Sequence, residues 1–150
     1  MPSGLVASPS GNAVAWVRNE EGARNVFVAT GPDFGGRSLT RFTEDDGQEL
    51  GSLQFTPDGR SLVFVRGGGA NRSGEFPNPR SYTGGVVRVT YLVPVSGGEP
   101  RRLRDGGGVT LSPDGSTAVY ASGGAVHRIS LYEDGVEDGQ PEPEELFKAR

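Results

Sequence analysis

A single histidine, His127, and no cysteine occur in the 150 residues. Thiolate metal sites, cysteine nucleophiles and disulfides are therefore excluded, and a serine–histidine pair could use only His127 as its base. A serine hydrolase of the α/β type presents its nucleophile in a Gly-x-Ser-x-Gly elbow, with Asp and His later in the chain. No such pentapeptide is present, and His127 stands between Val126 and Arg128, a context that reads as a strand. Two adjacent carboxylate pairs, Glu20-Glu21 and Glu144-Glu145, are present. Glu20-Glu21 runs into Gly22 and reads as a solvated hairpin turn. The acidic runs 44–49 and 133–139 could supply oxygen ligands to calcium, but neither fits the twelve-residue loop with ligands at alternate positions and a closing Glu. They read as hydrated loops. Gly67-Gly68-Gly69 suggests a phosphate cradle only if a helix N-terminus follows, and Pro77 and Pro79 stand there instead. No cofactor and no metal are expected.

One segment remains as a recognition candidate. Between Gly67 and Gly85 the chain reads GGGANRSGEFPNPRSYTGG, too rich in Gly and Pro for a regular element. Long loops on a rigid scaffold carry recognition, and here Arg72 and Glu75 offer charge and Phe76 an apolar anchor.

The elements that position this loop must be short. The chain holds 25 Gly and 11 Pro, a density that long helices do not tolerate. Its net charge of −4 leaves no basic face for a nucleic-acid backbone. No apolar stretch approaches 18 residues, and Met1-Pro2-Ser3-Gly4 does not open a signal peptide; no membrane partner is expected.

A repeat organises the chain. Ser8-Pro9-Ser10-Gly11, Thr56-Pro57-Asp58-Gly59 and Ser112-Pro113-Asp114-Gly115 are each followed by two variable residues and an apolar tetrad whose third member is aromatic: Trp16, Phe64 and Tyr120. Pro presets the first central angle of a turn, Asp or Ser bonds the backbone ahead, and Gly accepts positive φ at the exit. Apolar triplets precede the turns at Leu5, Leu53 and Val109, so each turn joins two antiparallel strands. Third strands are predicted over 25–30, 86–95 and 125–132, and fourth strands over 38–43, 99–105 and 144–148. Four short strands per repeat is the arithmetic of a propeller blade, which buries its faces only against neighbouring blades. The fold class is therefore all-β, a partial β-propeller of three four-stranded antiparallel blades at about 5–47, 48–107 and 108–150, within one domain. The recurrent aromatics are expected to pack between blades. The long 67–85 segment joins the second and third strands of blade two.

The segments Phe55-Thr56-Pro57-Asp58-Gly59-Arg60 and Leu111-Ser112-Pro113-Asp114-Gly115 resemble the repeat shared by TolB-like propellers and the N-terminal domain of prolyl-oligopeptidase-family serine peptidases. Leu39 to Leu50, the insertion Asn71 to Pro79 and Val95-Ser96-Gly97-Gly98-Glu99-Pro100 are similar to the first blades of bacterial acylaminoacyl- or dipeptidyl-peptidase-type members. This resemblance implies a non-catalytic piece of a cap that gates peptide substrates and docks on a C-terminal α/β-hydrolase domain. The partners it implies are the remaining blades, that domain, and the peptide substrate of the parent enzyme. The alternative is a TolB-like protein-binding propeller with no catalytic partner. Because three blades do not close a ring, the chain is expected to be a fragment, or to self-associate through its uncovered blade faces. Exported relatives favour a periplasmic or secreted location over the cytoplasm.

Overall fold

In a computed structural model of the chain, residues 3–43, 48–67, 88–132 and 141–148 are described. The three Pro-containing turns adopt one geometry. In each, the hydroxyl residue donates its N–H to a carbonyl five residues on, Ser8 to Ala13, Thr56 to Ser61 and Ser112 to Thr117, at 2.8, 2.9 and 2.9 Å. Its side-chain oxygen accepts the returning N–H of Ala13, Ser61 or Thr117 at 3.1 Å. The exit glycines Gly11, Gly59 and Gly115 have φ of 73, 72 and 72°, where a Cβ is disfavoured. The hydroxyl residue thus closes the turn as well as opening it, a role the spacing alone did not reveal.

These turns launch three meander sheets. The first contains β1 (Ser3–Ala7), β2 (Ala13–Glu20), β3 (Ala23–Thr30) and β4 (Gly35–Ser38); the second β5 (Leu50–Phe55), β6 (Ser61–Arg66), β7 (Val89–Pro94) and β8 (Arg101–Asp105); the third β9 (Thr110–Leu111), β10 (Thr117–Ser122), β11 (Ala125–Ser130) and β12 (Glu144–Lys148). In every sheet neighbours in sequence are neighbours in space and antiparallel. No helix forms among the described residues. The fold is the all-β, three-sheet architecture expected.

One strand lies upstream of its predicted position. The fourth strand of the first sheet is Gly35–Ser38 rather than 38–43. Beyond Ser38 the chain still follows β3, but through side chains. The Asn25 amide donates to Phe42 O at 2.8 Å and accepts from Phe42 N and Thr40 Oγ1 at 2.7 Å each, while Thr40 Oγ1 accepts Val26 N at 2.9 Å. A side-chain amide here imitates a strand edge, which an apolar pattern cannot announce.

The sheets stack face to face, and the alternation of side chains along each strand assigns them to two cores. Leu62, Phe64 and Val93 of the second sheet pack with Ala13, Ala15, Val17, Val26 and Val28 of the first. Val63 and Leu92, on the opposite face, pack with Leu103 and with Ala118, Ile129 and Leu131 of the third. All of Ser61 to Val65 is consequently buried. Aromatic contacts thicken the first core, with Phe64 stacked on Tyr91 at 5.3 Å and Phe42 edge-on to Phe64 at 6.4 Å. Phe64 and Tyr120 lie between sheets as expected. Trp16 occupies the equivalent face of the first sheet, which turns away from the second; there it is half-buried and stacks on Phe27 at 6.0 Å.

A second recurrence escapes the sequence pattern. Four residues before each turn hydroxyl the backbone is left-handed: Gly4 at φ 64°, Ser52 at 52° and Gly108 at 84°. In β1 and β5 this residue sits where the strand register slips, a bulge that sharpens strand twist. Ser52 holds this conformation with a Cβ, at a cost of about 1–2 kcal/mol.

Ser52→Gly is therefore expected to stabilise the chain by about 1 kcal/mol in urea unfolding while Ser52→Ala gives no gain. In the same assay Phe64→Ala should cost about 3–5 kcal/mol, and Phe147→Ala, at a residue 58% exposed, less than about 0.5 kcal/mol.

Candidate functional site

A meander places its connections alternately at two ends, so the stacked sheets present a turn end and a loop end. At the turn end a cleft of about 810 Å³ opens between the Pro-containing turns of the second and third sheets, bordered by Arg37, Asp58, Arg60, Asp114, Ser116 and Tyr132. Its carboxylates are already engaged. Asp58 Oδ1 accepts from Thr56 Oγ1 at 2.6 Å and Arg60 N at 3.0 Å. Asp114 Oδ1 accepts from Ser112 Oγ at 2.6 Å, Ser116 Oγ at 2.8 Å and Ser116 N at 3.0 Å. Hydrogen bonds to the charged form favour it. The Thr56 hydroxyl, then the Arg60 amide, lowers the Asp58 pKa, and the Ser112 hydroxyl with the Ser116 amide and hydroxyl brings Asp114 to about 2. These groups hold turns rather than ligands. Tyr132 Oη and Ser61 Oγ, 3.3 Å apart, tie the third sheet to the second across the cleft.

The loop end is different in charge. In the first and third sheets the second and third strands are joined by two-residue turns, Glu21-Gly22 and Gly123-Gly124, with positive φ at both positions, as right-twisted hairpins require. In the second sheet the same connection is residues 67–88, closed at its base by the Arg66↔Val89 pair. Arginines crowd this end, each over an aromatic ring: Arg18 over Phe27 at 5.5 Å, Arg66 over Phe42 at 4.4 Å and Arg104 over Tyr120 at 3.9 Å. Burial lowers the Arg104 pKa, and the charge of Arg88 adds to that shift. Arg88 Nε is buried without a hydrogen-bond partner.

The sequence-selected residues distribute unevenly over this frame. Arg72, Glu75 and Phe76 lie outside the described residues, as do Glu44, Asp45, Asp46 and the whole 133–139 acidic run. The described residues contain no group of three or more metal-ligating side chains. His127 is a strand residue of β11, stacked on Tyr120 at 5.3 Å with Nε2 3.2 Å from Ser122 O. Glu20 ends β2, Glu21 forms the turn, and Glu144 pairs with Arg128 at 2.6 Å at the start of β12. The loop-end arginines were missed. Their signal is present in part, because Arg88 shares the register of Thr90 and Leu92, which are buried against the third sheet.

With this geometry in place, comparison with solved structures is informative. The chain carries the propeller fold. It is similar to TolB from Acinetobacter baumannii (17% identity, TM-score 0.53, 97% of this chain and 32% of that one). It is similar as well to the acylaminoacyl peptidase of Pyrococcus horikoshii (16%, 0.59, 98% and 25%) and to a prolyl endopeptidase (14%, 0.61, 99% and 22%). The chain thus spans between about a fifth and a third of the length of these proteins. No protein-family model and no curated protein sequence matches it.

The turn carboxylates set an acid dependence of known sign. Their folded pKa values lie below the unfolded ones, so their stabilisation is complete above about pH 4 and is lost as pH falls toward about 2. The urea midpoint should drop between pH 5 and pH 2.5, and the drop should be smaller in Asp58→Asn/Asp114→Asn.

Proposed function

We propose that the chain is the non-catalytic N-terminal portion of the propeller of a prolyl-oligopeptidase-type serine peptidase, where it gates peptide access to an α/β-hydrolase domain and docks on it. The observation that carries this reading is the likeness of its three stacked sheets, over almost their whole extent, to about a quarter of an acylaminoacyl peptidase. The long loop-end connection of the second sheet, residues 67–88, suits a recognition element on the scaffold. A periplasmic or secreted location belongs to the same reading. Likeness to TolB favours a second one, a protein-binding propeller without a catalytic partner.

Fluorophosphonate labelling of the complete gene product separates the two. One labelled serine outside residues 1–150 is expected; no labelling overturns the peptidase reading in favour of the binding propeller.

The uncovered sheet faces belong to the same proposal. Val14, Trp16 and Phe27 on the first sheet and Val119, Val126 and Phe147 on the third occupy the repeat's blade-contact positions, with no neighbouring sheet among the described residues. Further blades would cover both. The 150-residue chain by itself should therefore associate with rising concentration in sedimentation velocity, and Trp16→Glu should suppress association. A monomer resistant to dilution and concentration would contradict it.

A further inference from the structure

Arg88 and Arg104 are held against a run of three glycines at the loop end. Residues 106–108 are glycines, and a Cβ on Gly106 would collide with the Arg104 guanidinium, one on Gly107 with that of Arg88. The two cations therefore lie against consecutive bare peptide units. Arg104 is fixed by the Tyr120 ring and by donation from Nη1 to Gly108 O at 3.1 Å and from Nε to Asp105 O at 3.2 Å. The turn beneath them is fixed in turn. Thr90 Oγ1 donates to Gly106 O at 2.8 Å and accepts Gly108 N at 2.9 Å, and Gly106 N donates to Arg88 O. The nearby Asp105 carboxylate is directed to Arg102 at 3.0 Å, and none of the described carboxylates is within ion-pair distance of Arg88. Beside Arg88 a cavity of about 100 Å³ is bordered by Glu49, Gly51, Ser52, Val65 and Gly67, room for a carboxylate and a water. Its floor includes the left-handed Ser52, and backbone strain of this kind concentrates at ligand sites.

Two neighbouring guanidinium groups, preorganised by packing and, among the described residues, without an ion pair to a carboxylate, can form a receptor for one. We propose that Arg88 and Arg104 form a carboxylate-binding site at the loop end of the propeller, which engages an acidic group of a peptide chain. Arg88, whose Nε is buried without a partner, supplies the donors, and Arg104, held on Tyr120, supplies the second charge. Glu49 at the rim disfavours a second negative charge and so selects a single carboxylate over a polyanion. The site rests on the reading of this propeller as an element that peptides approach.

The test titrates the 15N-labelled chain with tetra-alanine, tetra-alanine amide and acetyl-Ala-Glu-Ala-amide, following the amides of Ser52 and Gly106 to Gly108. Tetra-alanine should shift these signals, and its amide should bind at least tenfold more weakly. Binding of acetyl-Ala-Glu-Ala-amide at the strength of tetra-alanine identifies a general carboxylate site; weaker binding identifies a C-terminal one. Arg88→Gln should abolish the shifts, with unaltered signals elsewhere reporting its fold, and Arg60→Gln at the turn end should leave them unchanged. Equal response to acid and amide, or an unaffected Arg88→Gln, overturns the site. The outcome is independent of fluorophosphonate labelling: failed titration with labelling intact removes the site alone, whereas absent labelling removes the peptidase reading alone.

Discussion

Burial of the second sheet on both faces is the constraint from which the remaining architecture follows. A four-stranded meander cannot hide two apolar faces within itself, and Leu62 and Phe64 point one way while Val63 points the other. Each face needs a partner, and the neighbouring sheets provide one apiece. Because the pleat alternates side chains strictly, the assignment is unforgiving: a one-residue slip of β6 would exchange the two cores. The hydroxyl-closed turns guard against such a slip. They fix the point at which each second strand begins, and the glycine of one turn approaches the next, with a Cβ on Gly115 falling 3.3 Å from Pro57 Cδ.

Polar chemistry divides between the two ends according to how much of it the fold consumes. Carboxylates at the turn end accept the hydrogen bonds of their own turns through one oxygen, Oδ1. Arg18, Arg66 and Arg104 at the loop end rest on aromatic rings, contacts that contribute about 0.5–2 kcal/mol each. The same feature explains why Arg104 tolerates burial: the Tyr120 face and two carbonyl oxygens replace part of its hydration.

Much of this was legible in the sequence because it is local. A turn signature repeated three times, flanked by apolar tetrads, specifies hairpins wherever it occurs, and the aromatic of each tetrad marks the face shared with the preceding sheet. Features that depend on side chains meeting across sequence distance were not legible. The Asn25–Phe42 pairing shortened β4, since no propensity identifies an amide that stands in for a strand. The left-handed position four residues before each turn was hidden in the second repeat, where serine replaces the glycine of the other two. The loop-end arginines escaped for a similar reason: charge in an alternating strand reads as solvent-facing until the opposing sheet is known.

The exchange of a two-residue hairpin for residues 67–88 has a further implication. The ladder on either side continues to Arg66↔Val89 without a slip, and loop-closure entropy grows only by about 0.6 kcal/mol for each doubling of length. Lengthening a two-residue link to residues 67–88 therefore costs only about 2 kcal/mol in loop closure, so the scaffold can accept foreign sequence at this tip. Glu21-Gly22 and Gly123-Gly124 are equivalent sockets, still plugged with the shortest possible link, through which natural divergence or protein engineering can add new specificity without disturbing the framework.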